Sequence, residues 1–121
     1  MITYNYDFVV CGAGLAGMIA AVSAARHGLK TALLNDRSIP GGNASSEIGV
    51  VIQGSSHHGL NYSVYAKETG LVDELRSKLD YAVARCGYDV AAACDAVFFD
   101  FLYAEPNLTL YLNTVVTDVC A

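Results

Sequence analysis

Basic residues are scarce in this chain of 121 residues: seven Lys and Arg stand against twelve Asp and Glu, for a formal charge of −5. Proteins grip a phosphate backbone by displacing counterions with a stripe of Lys and Arg, and no such stripe exists here, so nucleic acid is not expected as a partner. Charge of either sign is sparse, at 16% of residues against 54% hydrophobic ones, and mean hydropathy is +0.36. That is greasy for one small soluble domain and fits a segment whose apolar surface is covered by further chain. Internal repeats and low-complexity linkers are also missing, which leaves one domain at most.

The four cysteines, Cys11, Cys86, Cys94 and Cys120, form no CxxC pair and have no histidine pair nearby, so zinc and iron–sulfur ligation are not expected. They read as buried thiols in a reducing cytoplasm. A secretory signal is lacking too: Asp7 precedes the first apolar stretch and no basic segment leads into it. The Asn-x-Ser/Thr triplets at Asn43, Asn61 and Asn107 are therefore expected to stay unglycosylated. The uncharged run from Phe8 to Ala25 approaches the length of a membrane span. It is β-branched before its glycines and Ala-rich after them, however, and it lacks basic flanks, so no membrane partner is expected.

What the chain does have is Gly12-Ala13-Gly14-Leu15-Ala16-Gly17, set between an apolar strand, Phe8–Cys11, and an Ala-rich helical stretch. Alone the pattern is weak; its position makes it a dinucleotide motif. The first glycine permits the turn, the second lets backbone approach a pyrophosphate, and the third lets helix pack on strand. A helix N-terminus then offers unpaired N–H groups and partial positive charge to the phosphates. Leu15, Met18, Ile19, Val22 and Ala25 recur at core-facing spacing, and Arg26-His27-Gly28 caps the helix. A second strand, Lys30–Leu34, ends in Asn35-Asp36, where a βαβ unit places its ribose contact.

From Arg37 to about Ser63 the chain is rich in Gly, Ser and Asn and reads as a long active-site loop with short helical turns. Helices are predicted from Thr69 to Arg85, with Leu71, Val72, Leu75, Leu79 and Val83 inward, and from Asp89 to Ala104. Strands are predicted at Leu108–Leu112 and Val115–Cys120. The order is α/β: a parallel sheet with flanking helices and the nucleotide at the carboxyl ends of the strands.

Three stretches, Tyr6–Gly17, Asn35–Ile48, and Ala66–Gly70 together with Ala104–Thr114, resemble the FAD-dependent oxidoreductases of the glutathione-reductase-like, two-dinucleotide-binding superfamily. The resemblance implies a Rossmann-like FAD-binding fold, with residues 1–121 as the N-terminal portion of that domain and the remainder and the substrate domain outside it. It implies FAD as cofactor, a small-molecule redox substrate and a segment inactive on its own; apolar surface left exposed by a core cut open would in turn favour self-association. It puts Gly12, Gly14, Leu15, Ala16 and Gly17 on the pyrophosphate. Asn35 stands where glutamate is usual, and an amide offers a ribose only one accepting oxygen, so Asp36 is a second candidate for that contact. Arg37, Gly41, Gly42, Asn43, Ala44 and Ser45 would run along the pyrophosphate toward the flavin, and the backbone at Val116 would meet the adenine.

Two other functions use the same residues. A non-acidic Asn35 followed by Arg37 could take the 2′-phosphate of NADP, and a nucleotide-binding or interaction module needs no turnover at all. Related disulfide reductases carry a cysteine pair just after the second glycine pair; Ala44–Gly49 has no thiol, so no dithiol relay is expected. His57 and His58 are candidate proton shuttles, and Glu47 is either an acid–base group or a carboxylate at a helix start. Tyr62, Tyr65 and Tyr81 read as core residues of amphipathic helices rather than flavin-stacking groups.

Overall fold

The computed structural model describes residues 2–52, 68–87 and 89–120. Phe8–Cys11 forms strand β1, Leu15–Arg26 helix α1, Thr31–Leu34 strand β2, Leu71–Cys86 helix α2, Val90–Tyr103 helix α3 and Leu108–Tyr111 strand β3. The strands lie parallel in the order β1-β2-β3, with Val9 beside Ala32 and Ala32 beside Thr109. Parallel neighbours need long crossovers, and here helices supply them: α1 joins β1 to β2, while α2 and α3 lie between β2 and β3. The result is the Rossmann-like βαβ architecture that the alternation of elements predicts.

Alanines give α1 strong helix propensity, and their small size lets it lie close on β1 and β2. Its buried face is Met18, Ala21, Val22 and Ala25, the i, i+3, i+4, i+7 spacing of one helical stripe. The helix stops at His27, whose N–H donates to the carbonyls of Ser23 and Ala24, and Gly28 follows at φ +89°. Gly87, at φ +63°, ends α2 in the same left-handed way. Val10 and Leu33 on the sheet meet Met18, Leu75, Phe98 and Phe101 in one core. Burying a side chain the size of Phe98 or Phe101 contributes roughly 2–3 kcal/mol.

Arg26 ties three segments together. Its Nε donates to Glu105 Oε1 at 2.7 Å, and its two terminal nitrogens donate to the Glu74 carboxylate at 2.7 and 3.0 Å. The guanidinium hydrogen bonds hold Glu74 below the ordinary carboxylate range and raise Arg26. On the far face of the sheet, the Tyr6 and Tyr111 hydroxyls share a hydrogen bond, and Lys30 Nζ lies 5.0 Å from the Tyr6 ring centroid.

Four expectations are corrected. Val115–Cys120 forms no strand: β3 is a sheet edge, no strand among the described residues runs alongside the segment, and Val115 and Val119 are 67% and 77% exposed. Cys94 is buried, and burial pushes its thiol up, helped by Asp95 and Asp89; Cys11 and Cys120 are exposed instead. Cys11 alternates with core-facing Val10 on an edge strand, so it points away from the helices. Tyr81 is a surface residue of α2, with the Arg85 guanidinium 6.0 Å from its ring centroid. Glu47 starts no helix; it lies in a turn. Tyr62 and Tyr65 lie outside the described residues, and no helix among the described residues is long and apolar enough to cross a membrane.

Candidate nucleotide site

Where β1 ends, Gly12 takes φ +105° and donates its N–H to Leu34 O at 2.7 Å, so the turn is fastened to the end of β2. Ala13 is buried; its N–H donates to Asn35 Oδ1 at 3.3 Å and its carbonyl accepts from Gly41 N at 2.7 Å. Gly14 is extended and forms the N-cap of α1 without a side chain to cover the helix end. The first intrahelical bond runs from Met18 N to Gly14 O, so the N–H groups of Leu15, Ala16 and Gly17 have no acceptor within the helix. No acidic residue sits in that first turn to neutralise its positive end.

The three glycines of the motif differ in what they do. A Cβ on Gly17 would stand 1.9 Å from the Gly12 carbonyl oxygen, which makes this glycine a packing requirement between helix and turn. Among the described residues, a Cβ on Gly12 or Gly14 would meet no atom within 4 Å beyond its chain neighbours. Gly14 therefore leaves space among the described residues in front of N–H groups that have no acceptor within the helix, which fits a pyrophosphate lying across the turn.

The second glycine pair completes the shelf. Gly41 bridges to Gly14 in parallel fashion, and a Cβ on Gly42 would lie 3.2 Å from Gly14 Cα. Gly41 rests on Phe98 of α3, whose ring would be only 2.4 Å from an added Cβ. Gly42–Ala44 makes one 3-10 turn, closed by the buried Ser45, whose Oγ donates to Gly42 O at 2.7 Å. Ser46 N donates to Asp95 Oδ1 at 2.8 Å, pinning this loop to α3. Asn43 is exposed at the rim, and Ala44 is buried beneath it.

At the end of β2 the adjacent polar residues part. Asn35 is 8% exposed, and its side chain is engaged with backbone: Oδ1 accepts from Ala13 N, while Nδ2 donates to Ile39 O at 3.0 Å and Arg37 O at 3.4 Å. Asp36 is exposed, and its carboxylate has no hydrogen-bond partner among the described residues. Arg37 pairs with Glu47 across 3.3 Å in a solvent-exposed contact. Val116 is half-exposed in the irregular segment after β3, which Thr114 N holds to Asn35 O at 2.8 Å.

The glycine turn, the second glycine pair and Asn35 thus form one connected platform, with Asp36 beside it. His57 and His58 lie outside the described residues. Sequence reasoning missed Phe98 and Asp95, which support the second glycine loop from α3. Nothing local in their helix marks them out, because their partners are about fifty residues away in the chain. A cavity of about 450 Å³, mainly apolar, opens separately between α2, α3 and Gly49–Ile52, with Ala44 on its wall.

Comparison with known proteins places the chain in a family. The family described as FAD dependent oxidoreductase matches residues 7–121. The soluble pyridine nucleotide transhydrogenase of Hahella chejuensis (strain KCTC 2396) is 51% identical over 45 residues, 37% of this chain and 10% of that protein. The enzyme of the same name from Pseudomonas putida (strain GB-1) is 42% identical over 60 residues, 50% of this chain and 13% of the relative. That from Pseudomonas aeruginosa (strain LESB58) is 37% identical over 60 residues, again 13% of its length. The match thus covers only a small part of each relative.

Proposed function

The chain belongs to the FAD-dependent oxidoreductase family, whose cofactor is FAD, and we propose that its βαβ unit holds the ADP half of that cofactor in a redox enzyme. The observation that carries this reading is the space, among the described residues, where a Gly14 Cβ would stand, directly before the N–H groups of α1 that have no acceptor within the helix. In this arrangement the N–H groups of Leu15 and Ala16 take the pyrophosphate, with Gly41 and Gly42 forming the floor beside them. The exposed Asp36 carboxylate accepts from the adenosine ribose hydroxyls, and the backbone near Val116 borders the adenine. Asn43, Ala44 and Ser45 carry the shelf on toward the flavin. The flavin, when bound, supplies the hydride chemistry; this segment binds, orients and shields.

An NADP reading of the same turn is weaker. The free Asp36 carboxylate would repel a 2′-phosphate, and Arg37, the cation that would attract one, faces Glu47. The relatives' printed name mentions pyridine nucleotides, but the match spans only 45 to 60 residues, 10% and 13% of those two proteins, which is too little to carry their substrate over to this chain. No catalytic residue is assigned: Glu47 is ion-paired at the rim, and His57 and His58 lie outside the described residues. The test is to purify the natural gene product that carries this chain, denature it, and weigh the nucleotide released. FAD is expected; FMN, or NADP alone, would contradict the reading.

A further inference from the structure

Asn35 interrupts an otherwise apolar strand end, and both polar atoms of its side chain are hydrogen-bonded to backbone. The carboxamide has one oxygen and two N–H donors. The oxygen accepts from Ala13 N, inside the first glycine turn; the nitrogen donates to Arg37 O and Ile39 O, in the loop that leads to the second glycine pair. The backbone of Asn35 extends the same junction, its N–H donating to Tyr111 O and its carbonyl accepting from Thr114 N, both at 2.8 Å. One buried residue therefore links the phosphate turn, the second glycine loop and the segment after β3.

We infer that Asn35 is a positioning residue, a latch that sets the Gly12–Gly14 turn and the Gly41–Gly42 loop at the spacing a pyrophosphate needs, and that it does not itself touch the ribose. The inference rests on the nucleotide reading above. The chemistry requires an amide. A carboxylate at this position could accept from Ala13 N but would set a second negative oxygen against the carbonyls of Arg37 and Ile39, and an apolar side chain would leave a buried N–H without a partner. The same hydrogen bonds fix which end of the carboxamide is oxygen, since only that orientation matches one donor and two acceptors. With Asn35 turned inward, its neighbour Asp36 is left facing solvent.

Asn35→Asp separates this role from direct ribose binding, because the two demand opposite signs. As a ribose ligand, a carboxylate is the better acceptor, so affinity for FAD would hold or rise. As a latch it fails, and affinity for FAD and for ADP should fall together by tenfold or more. Both titrations use the natural gene product stripped of cofactor. A second measurement needs no variant: with ¹⁵N-labelled asparagine, the Asn35 side-chain amide protons should be protected from solvent exchange before any nucleotide is added, and should stay protected with ADP bound. An Asn35→Asp protein that binds FAD as tightly as its parent overturns the latch, as do Asn35 amide protons that exchange freely without ligand. A parent protein that holds neither FAD nor ADP overturns the nucleotide reading and with it the purpose of the latch, even if the amide is protected.

Discussion

Gly14 and Gly17 belong to one motif yet should respond differently to substitution. Gly14 is extended, at φ −68° and ψ 175°, which any residue adopts, and a Cβ there meets no atom of the described residues within 4 Å beyond its chain neighbours. Gly14→Val should therefore leave the circular dichroism spectrum intact while abolishing flavin retention. A variant that keeps its flavin would place the phosphates elsewhere. In Gly17→Ala the added Cβ meets backbone rather than a side chain that can swing aside, so the fold itself should suffer; a variant with an unchanged melting temperature would contradict the 1.9 Å contact. Gly41→Ala presses on the buried Phe98 ring and forces φ +115° on an alanine, which should cost about 1–3 kcal/mol in denaturant unfolding. The motif glycines were legible in the sequence because each answers to a local rule. The hydrogen bonds of Asn35 were not: its partners are backbone atoms that only the fold brings together.

Among the elements, α1 and the helices after the loop were readable because stripe, cap and breaker agree: Met18, Ala21, Val22 and Ala25 face inward, and Gly28 and Pro106 close what precedes them. Val115–Cys120 misled because its valines carry strand propensity while no strand among the described residues lies alongside to pair with them. What pattern could not show is how the elements are joined at their ends, and Arg26 is the clearest case. Its pairs with Glu74 and Glu105 connect α1 to α2 and to the turn before β3. Glu74 titrates lower in the folded chain than in the unfolded one, so its contribution is present at neutral pH and disappears as pH falls through that lowered value. Because Arg26 and Glu74 are both more than a third exposed, solvent screening limits the effect. Glu74→Gln should lower stability at pH 7 by about 0.5–1 kcal/mol. The gap between parent and variant should close as pH drops below the ordinary glutamate value of 4.5. Urea midpoints across that range measure it, and a gap that widens toward acid would refute the assignment.

On the scale of the whole molecule, one face of the sheet holds the core while the other leaves Val9 half-exposed and Cys11 open to solvent on an edge strand. Flat apolar edges invite pairing with other chains, so the 121-residue chain should associate in size-exclusion chromatography, and Val9→Lys should reduce that association. The central claim, that the two glycine loops form one phosphate platform at the end of α1, is tested most directly by titrating ADP into the cofactor-stripped, ¹⁵N-labelled gene product and following backbone amide shifts. The largest changes should fall on Leu15, Ala16, Gly41 and Gly42 and be lost in Gly14→Val. Saturable ADP binding that leaves those four amides unmoved, or moves instead the residues around the cavity between α2 and α3, would contradict it.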